Sequence, residues 1–311
     1  ALQRQKEDPF HLAYDGWRSL AYGAGPYGHD PLGVAGDLQQ LSPEALRPLA
    51  NQLESEGSVL ALSGTIPESL LSLLEEHEAF VRCPDQATAA SASSPTSPAA
   101  VGDAVSDAVS DTELGETLAL QEQKTEQVVL MLGQPSLPHG HPDDPALRLL
   151  QAHLGHGMSS LLFRRLREEH GVAYDVGLHH PAKAEASPFV MHAATSTDRA
   201  DLTLRLLLQS WDEMHSQCLS DEELALARVK VRGQLAHASQ TTGQRAERRA
   251  QLRGLGLPDD YDQDALNAME RMDGPTLQRI ANQHLRRPTL SLCGPSSSLM
   301  ALESVWEARQ H

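Results

Sequence analysis

Histidine is the commonest metal ligand and a frequent acid–base group, and the chain carries fifteen. His139 and His141, His153 and His156, and His179 and His180 lie close in sequence. None of these pairs has the i, i+4 spacing around a carboxylate that places two imidazoles on one helical face for zinc. They are expected on the surface or in loops, and no metal ligand is assigned. A second feature is the turn of Gly155, Gly157 and the adjoining Met158-Ser159-Ser160, which precedes an apolar helical pattern. Backbone N–H groups at such a turn can meet a peptide carbonyl or a carboxylate. An ordinary helix–helix turn is the competing reading. Cys83, Cys218 and Cys293 have no paired spacing, so neither a disulfide framework nor a zinc ribbon is expected. A reducing compartment fits them, and so does simple burial. A G-x-x-x-x-G-K-[ST] loop does not occur, and regular β-helix-β alternation is missing, so a P-loop or dinucleotide reading has no support. No catalytic residue is assigned.

The elements that must position these residues follow from periodicity. Phe10, Ala13, Tyr14, Trp17 and Leu20 predict a helix from about Pro9 to Ala21, followed by a glycine- and proline-rich loop, Gly23 to Gly36. Ser42 and Pro43 start a second helix, Val59 to Leu62 reads as a short strand, and Pro67 opens a third helix. Between Pro84 and Asp111 alanine, serine, proline and aspartate dominate. That composition offers little to bury against its ordering entropy and reads as a linker. Beyond it, Leu118 to Gln123, Gln127 to Leu132, Val172 to Leu178, Phe189 to Thr195 and Thr289 to Cys293 are predicted strands. A helix from Asp143 or Asp144 is expected to end at Gly155 in a left-handed conformation. The next carries Leu162, Phe163 and Leu166 and stops at Gly171. Asp198 is expected to cap a helix with a Leu204-to-Met214 core stripe, and Ser220 with Glu223 forms a capping box for another. Small groups of strands and then runs of helices predict an α+β fold, a largely antiparallel sheet with helices packed on one face. Three segments are expected: residues 1–83, a linker at 84–111, and residues 112–311.

Composition narrows the function. The formal charge of −17 argues against nucleic-acid binding, which needs a basic footprint. It is compatible with basic peptides, though solubility alone accounts for it. No apolar run is long enough to span a bilayer, so no membrane partner is expected. Residues Ala1 to Asp8 are polar and charged, unlike a secretory signal. The cytoplasm is the expected compartment.

From Leu154 to Tyr174 the chain reads L-G-H-G-M-S-S-L-L-F-R-R-L-R-E-E-H-G-V-A-Y. This stretch resembles the signature of the second half of pitrilysin/insulinase-type zinc metallopeptidases, the family that includes the mitochondrial processing peptidases. There a small-residue turn leads into a helix and then L-R-E-x-x-G-x-x-Y. Leu219 to Leu224, Gly254 to Tyr261, Asp273 to Asn282 and Leu290 to Pro295 follow the family pattern in order. Glu7-Asp8-Pro9, Pro26 to Gly33 and Val59 to Pro67 are similar to the closing segments of the family's first half.

The resemblance implies two related α+β halves enclosing a peptide, with residues 1–83 belonging to the end of the first and 112–311 forming the second. It implies that Arg167 and Tyr174 bind substrate, their guanidinium and phenol hydrogen-bonding a peptide carbonyl, with Gly155, Gly157 and Ser159 beside them. The alternative is that Arg167 pairs with a nearby carboxylate and Tyr174 packs at a strand edge. Family chemistry is zinc-assisted hydrolysis through H-x-x-E-H, which this sequence lacks. Zinc is therefore expected not in this chain but in a parent enzyme or partner subunit, and the start reads as internal to a longer protein. The expected partners are a peptide, a zinc-bearing half or subunit, and a homo- or hetero-dimer mate met through exposed sheet edges. A non-proteolytic scaffold from the same family is the rival reading.

Overall fold

A computed structural model describes residues 7–53, 58–76 and 117–310. The chain divides into two compact units, Ala1–Gly33 with Glu113–Gly233 and Ala265–His311, and Val34–Thr112 with Gln234–Asp264. Residues Pro84 to Asp111 and Cys83 lie outside the described residues.

The first unit is built on β2 (Gln127–Pro135), whose apolar run Val128 to Leu132 is buried on both sides. A strand with two dry faces belongs at the centre of a sheet. It pairs antiparallel with β4 (Pro188–Ser196) and β5 (Thr289–Gly294). Strand β3 (Asp175–His179) pairs antiparallel with β4, and β1 (Leu118–Glu122) pairs parallel with β5. The order is β1-β5-β2-β4-β3, a largely antiparallel five-stranded sheet. The α+β class expected from the sequence is the one observed.

Alternate side chains point to opposite faces. On one face Phe189 meets Trp211 edge-on at 6.2 Å. Trp211 belongs to α6 (Ala200–Ser216), whose stripe Leu204, Leu207, Leu208, Trp211 and Met214 is buried as expected. Thr203 of α6 donates to Thr195 of β4 at 3.2 Å. The same layer holds α5 (Asp144–Gly155), α7 (Asp221–His237), α9 (Tyr261–Arg271), α10 (Gly274–His284) and α11 (Ser296–Gln310). Ser220 and Glu223 form the expected reciprocal cap of α7. Asp198 does not cap α6. Its carboxylate is engaged by the Ser196 hydroxyl, and no side-chain cap is made.

Among the described residues the opposite face carries one helix, α1 (Pro9–Tyr22). Its Ala13 and Trp17 pack on Val129, Met131, Val190 and Cys293. The Trp17 indole N–H donates to the Gly133 carbonyl at 3.0 Å, and the Tyr22 hydroxyl donates to the Ala186 carbonyl at 2.8 Å. Periodicity predicted this helix but not its seat on the sheet.

In the second unit α2 (Ala35–Leu38), α3 (Pro43–Leu53), α4 (Leu70–Glu76) and α8 (Thr242–Gly254) are short helices. Thr241 and Gln244 cap α8 reciprocally. Residues 59–62, expected to be a strand, have no strand partner among the described residues. Val59, Leu60 and Leu62 are exposed, because a β-prone segment becomes a strand only where a neighbour takes its hydrogen bonds.

Candidate functional site

Leu162 and Leu166 are fully buried and draw the segment after the Gly157 turn onto the first unit's core. That segment is a π-helix rather than an α-helix, Phe163–Glu169. It closes with the His170 N–H on the Arg165 carbonyl five residues back, at 3.2 Å. Gly171, at φ +62°, turns the chain out of the helix, and the Val172 N–H reaches the Leu166 carbonyl at 2.7 Å. The Thr195 hydroxyl donates to the Val172 carbonyl, and the Tyr174 N–H donates to the Ala194 carbonyl at 2.8 Å. The backbone between Leu166 and Tyr174 is thus tied to β4. The predicted strand from Val172 is shorter than expected. β3 starts at Asp175, and Tyr174 occupies the bend before it.

The arginines of this segment have separate tasks. Arg165 turns inward, donating to the Ser210 hydroxyl at 2.8 Å and to the Glu213 carboxylate at 2.6 Å. A cavity of about 180 Å³ beside it is lined by Arg165, His153, Cys218 and Glu223. Arg167 is exposed. Its guanidinium lies over the Phe163 ring, 5.2 Å from the centroid. It makes no hydrogen bond or ion pair among the described residues. Tyr174 is 66% exposed, and its hydroxyl has no partner among them. Two strong hydrogen-bonding side chains therefore stand in solvent on an anchored backbone.

Gly155 and Gly157 serve different ends. Gly155 does not stop α5 in a left-handed conformation, as the sequence suggested. The positive φ, +76°, belongs to Gly157. A Cβ on Gly155 would lie 2.5 Å from the Leu178 Cβ and backbone nitrogen, so glycine there lets the helix end touch β3. Ser160 is buried and its carbonyl receives the Arg164 N–H, whereas Met158 and Ser159 are exposed. The N–H groups of Gly157, Met158 and Ser159 have no partner among the described residues.

His139 and His180 lie in loops, as expected, but are buried rather than at the surface. His180 is fully buried and His139 nearly so. Both face the buried Asp144 at the start of α5, with His139 Nδ1 2.8 Å from the carboxylate and Arg148 one turn on at 3.3 Å. Burial alone would raise the Asp144 carboxyl; hydrogen bonds from His139 and His180 and the Arg148 charge outweigh it and hold the carboxyl far below its usual range. Burial pushes His180 down, helped by Arg148. The i, i+4 spacing of Asp144 and Arg148 was a signal for this network; His139 and His180 meet it only through the fold.

One group among the described residues brings metal-ligating atoms together, His11, Asp15 and Asp30, all within 4.8 Å. The Arg18 guanidinium donates to Asp15 at 2.7 Å and lies 3.9 Å from Asp30. It already balances the carboxylates where a divalent cation would sit, so the group does not fit a zinc centre. With H-x-x-E-H absent from the sequence, the residues described do not build the family's metal site.

A family model described as the peptidase M16 inactive domain matches residues 50–230. An uncharacterized zinc protease of Streptomyces coelicolor is 28% identical over 174 residues, 56% of this chain and 38% of that protein. One of Bacillus subtilis is 21% identical over 304 residues, 96% of this chain and 69% of that protein. The chain thus spans well under half of the first relative's length. A crystal structure of a peptidase M16 inactive domain from Pseudomonas fluorescens superposes with a TM-score of 0.72 at 19% identity, covering 94% of this chain and 68% of that one. A protease from Helicobacter pylori gives 0.71 at 15% identity, with the same coverage. At such identities the likeness shows the fold.

Proposed function

Because the chain belongs to the peptidase M16 inactive-domain family, we propose that it is the substrate-holding part of a zinc-dependent endopeptidase. Its partners are a peptide and a zinc-bearing half or subunit. The observation carrying this reading is the pair Arg167 and Tyr174, solvent-facing on a backbone tied to β4, with the phenol unengaged and the guanidinium resting only on Phe163.

Five guanidinium N–H donors and one phenolic O–H suit a peptide carbonyl, and more so the oxyanion that develops when it is attacked. The donors need no reorganisation if they are already aimed. Exposed N–H groups at Gly157 to Ser159 can hold a second carbonyl of the same peptide, with Gly155 fixing the turn's distance from β3. This chain contributes binding and polarisation. The family's metal supplies the activated water from outside the residues described.

The test uses the chain paired with a zinc-bearing subunit and a fluorogenic peptide. Arg167→Ala and Tyr174→Phe are expected to lower kcat by about 10²-fold, the range for loss of one oxyanion donor, with melting temperature unchanged. Full cleavage by both variants would leave the scaffold reading as the better one.

A further inference from the structure

Two threonines stand where the first unit's core otherwise places apolar side chains. The β4 residues that face α6 are Phe189, Met191, Ala193 and Thr195, all fully buried, and the first three are apolar. Thr203 sits in the buried face of α6 with Ala200, Leu204 and Leu207. A hydroxyl taken out of water is costly unless it is hydrogen-bonded. These two lie 3.2 Å apart, oxygen to oxygen, and the backbone they hold is the one that carries Tyr174.

Counting hydrogens fixes the direction of the bonds. A carbonyl only accepts, so the hydrogen of the Thr195 hydroxyl goes to the Val172 carbonyl. Thr203 is then the donor between the two threonines. Its hydrogen is shared between the Thr195 oxygen and the Arg199 carbonyl, 2.9 Å away. The relay runs from α6 through β4 to the backbone at Val172, and it acts where strand pairing stops. β3 and β4 are in register from Asp175↔Ala194 to His179↔Val190. The Tyr174 N–H closes that ladder on the Ala194 carbonyl, and the Val172 N–H turns back to Leu166. Val172 is buried, so its carbonyl needs a partner other than bulk water, and the Thr195 hydroxyl is that partner.

We propose that Thr195, backed by Thr203, is a positioning residue for Tyr174. It holds the Val172 carbonyl so that the bend at residues 172–174 presents the phenol in one place. This inference rests on the substrate role given to Tyr174 and deepens it. The Tyr174 side chain is exposed and its hydroxyl has no partner among the described residues, so its place is set through its backbone. Two ties set that backbone. The N–H bond to Ala194 fixes where the residue sits, and the hydroxyl tie two residues earlier fixes the direction from which the chain arrives. Valine at 195 would keep the shape but have no hydrogen to give. The Val172 carbonyl would then be stranded and would turn toward water, drawing the bend outward. The β3–β4 ladder does not include that bond and keeps its register. Misplacement of about 1 Å near a reacting group can lower turnover by up to about 10²-fold.

Two measurements on Thr195→Val, Thr195→Ser and Thr203→Val test it. Amide hydrogen exchange of the chain alone reads the bend. Cleavage of a fluorogenic peptide by the chain paired with a zinc-bearing subunit reads its use. Thr195→Val should speed exchange of the Tyr174 amide by about tenfold or more while the amides of β2 stay as they are. It should lower kcat by about tenfold and leave KM within about twofold. Thr195→Ser restores the hydroxyl and should recover both. Thr203→Val leaves the Val172 bond in place and should move both readouts the same way by a smaller factor; it carries the test should Thr195→Val fold poorly. In a Tyr174→Phe background, where the phenol is already gone, Thr195→Val should remove less than about twofold more. Losses that multiply independently would mean that Thr195 acts elsewhere and would overturn the proposal. So would a parental kcat in Thr195→Val, or exchange that rises evenly across the sheet, since the pair would then serve core stability alone. A parental rate in Tyr174→Phe would instead remove the substrate role itself, and the positioning role with it.

Discussion

Replacing Gly155 by alanine sets two local rules against each other. Gly155 is the last residue of α5 and its φ is not positive. Helix propensity alone makes alanine there the better residue by about 1 kcal/mol. Packing says the reverse. The added Cβ would sit 2.5 Å from the Cβ and backbone nitrogen of Leu178, and 3.0 Å from its Cα. Carbon atoms rest about 3.5–4.0 Å apart, so the helix end and β3 must separate by roughly 1 Å. Backbone atoms cannot rotate away as a flexible side chain would. Overpacking of this kind costs about 1–3 kcal/mol, and the upper part of that range applies. After the propensity gain, a net loss of about 1–2 kcal/mol is expected. Urea unfolding reads it as a lower midpoint at unchanged slope. Gly157→Ala provides the comparison. Its Cβ would meet nothing within 4 Å, and its cost, about 1 kcal/mol, comes only from φ +76°. Gly155→Ala with parental or greater stability would refute the close-approach account and return Gly155 to the role of an ordinary helix residue.

Three further outcomes follow from the same geometry. Arg165→Ala should cost about 2 kcal/mol, because it removes the charged partner of the half-buried Glu213 carboxylate and leaves it only the Gln209 amide, while Arg167→Ala should stay within about 0.5 kcal/mol; equal costs in urea unfolding would contradict this division. Trp17→Ala removes a fully buried indole and its bond to the Gly133 carbonyl, and a loss of about 3–5 kcal/mol in calorimetry or urea is expected; a loss below 1 kcal/mol would mean that α1 is not part of the first unit's core. Burial holds His153, His180 and His215 below the ordinary imidazole value, so the unfolded chain binds more protons below about pH 6.5 and stability should fall as pH drops from 7.5 to 5.5. The depressed Asp144 carboxyl contributes stability above about pH 3.9 that is lost below it; urea midpoints that are flat between pH 7.5 and 5.5 would refute the histidine part.

What could be read from the sequence was what depends on side-chain periodicity. Leu118 to Gln123 and Leu204 to Met214 became a strand and a helix of the expected kind because alternation and a 3.6-residue stripe report directly on burial. The Ser220–Glu223 box was legible because both partners lie within one turn. The π-helix was not, since Leu162 and Leu166 are spaced equally well for an α-helix. The hydrogen-bond register that separates the two is fixed by Gly171 and by the tie from Thr195 to Val172. Gly155 was misread for a related reason: a glycine at a helix end has two explanations, and only the approach of Leu178 chooses between them.

Those two unreadable features bracket the candidate site. A wider helical turn delivers Arg167 and Tyr174 to solvent, and a glycine contact sets the adjoining turn against β3. Arg165, two residues earlier, is spent on Glu213 and Ser210, and that inward pairing leaves Arg167 as the exposed member. The motif names the arginine and the tyrosine; the fold pairs Arg165 inward and leaves Arg167 exposed.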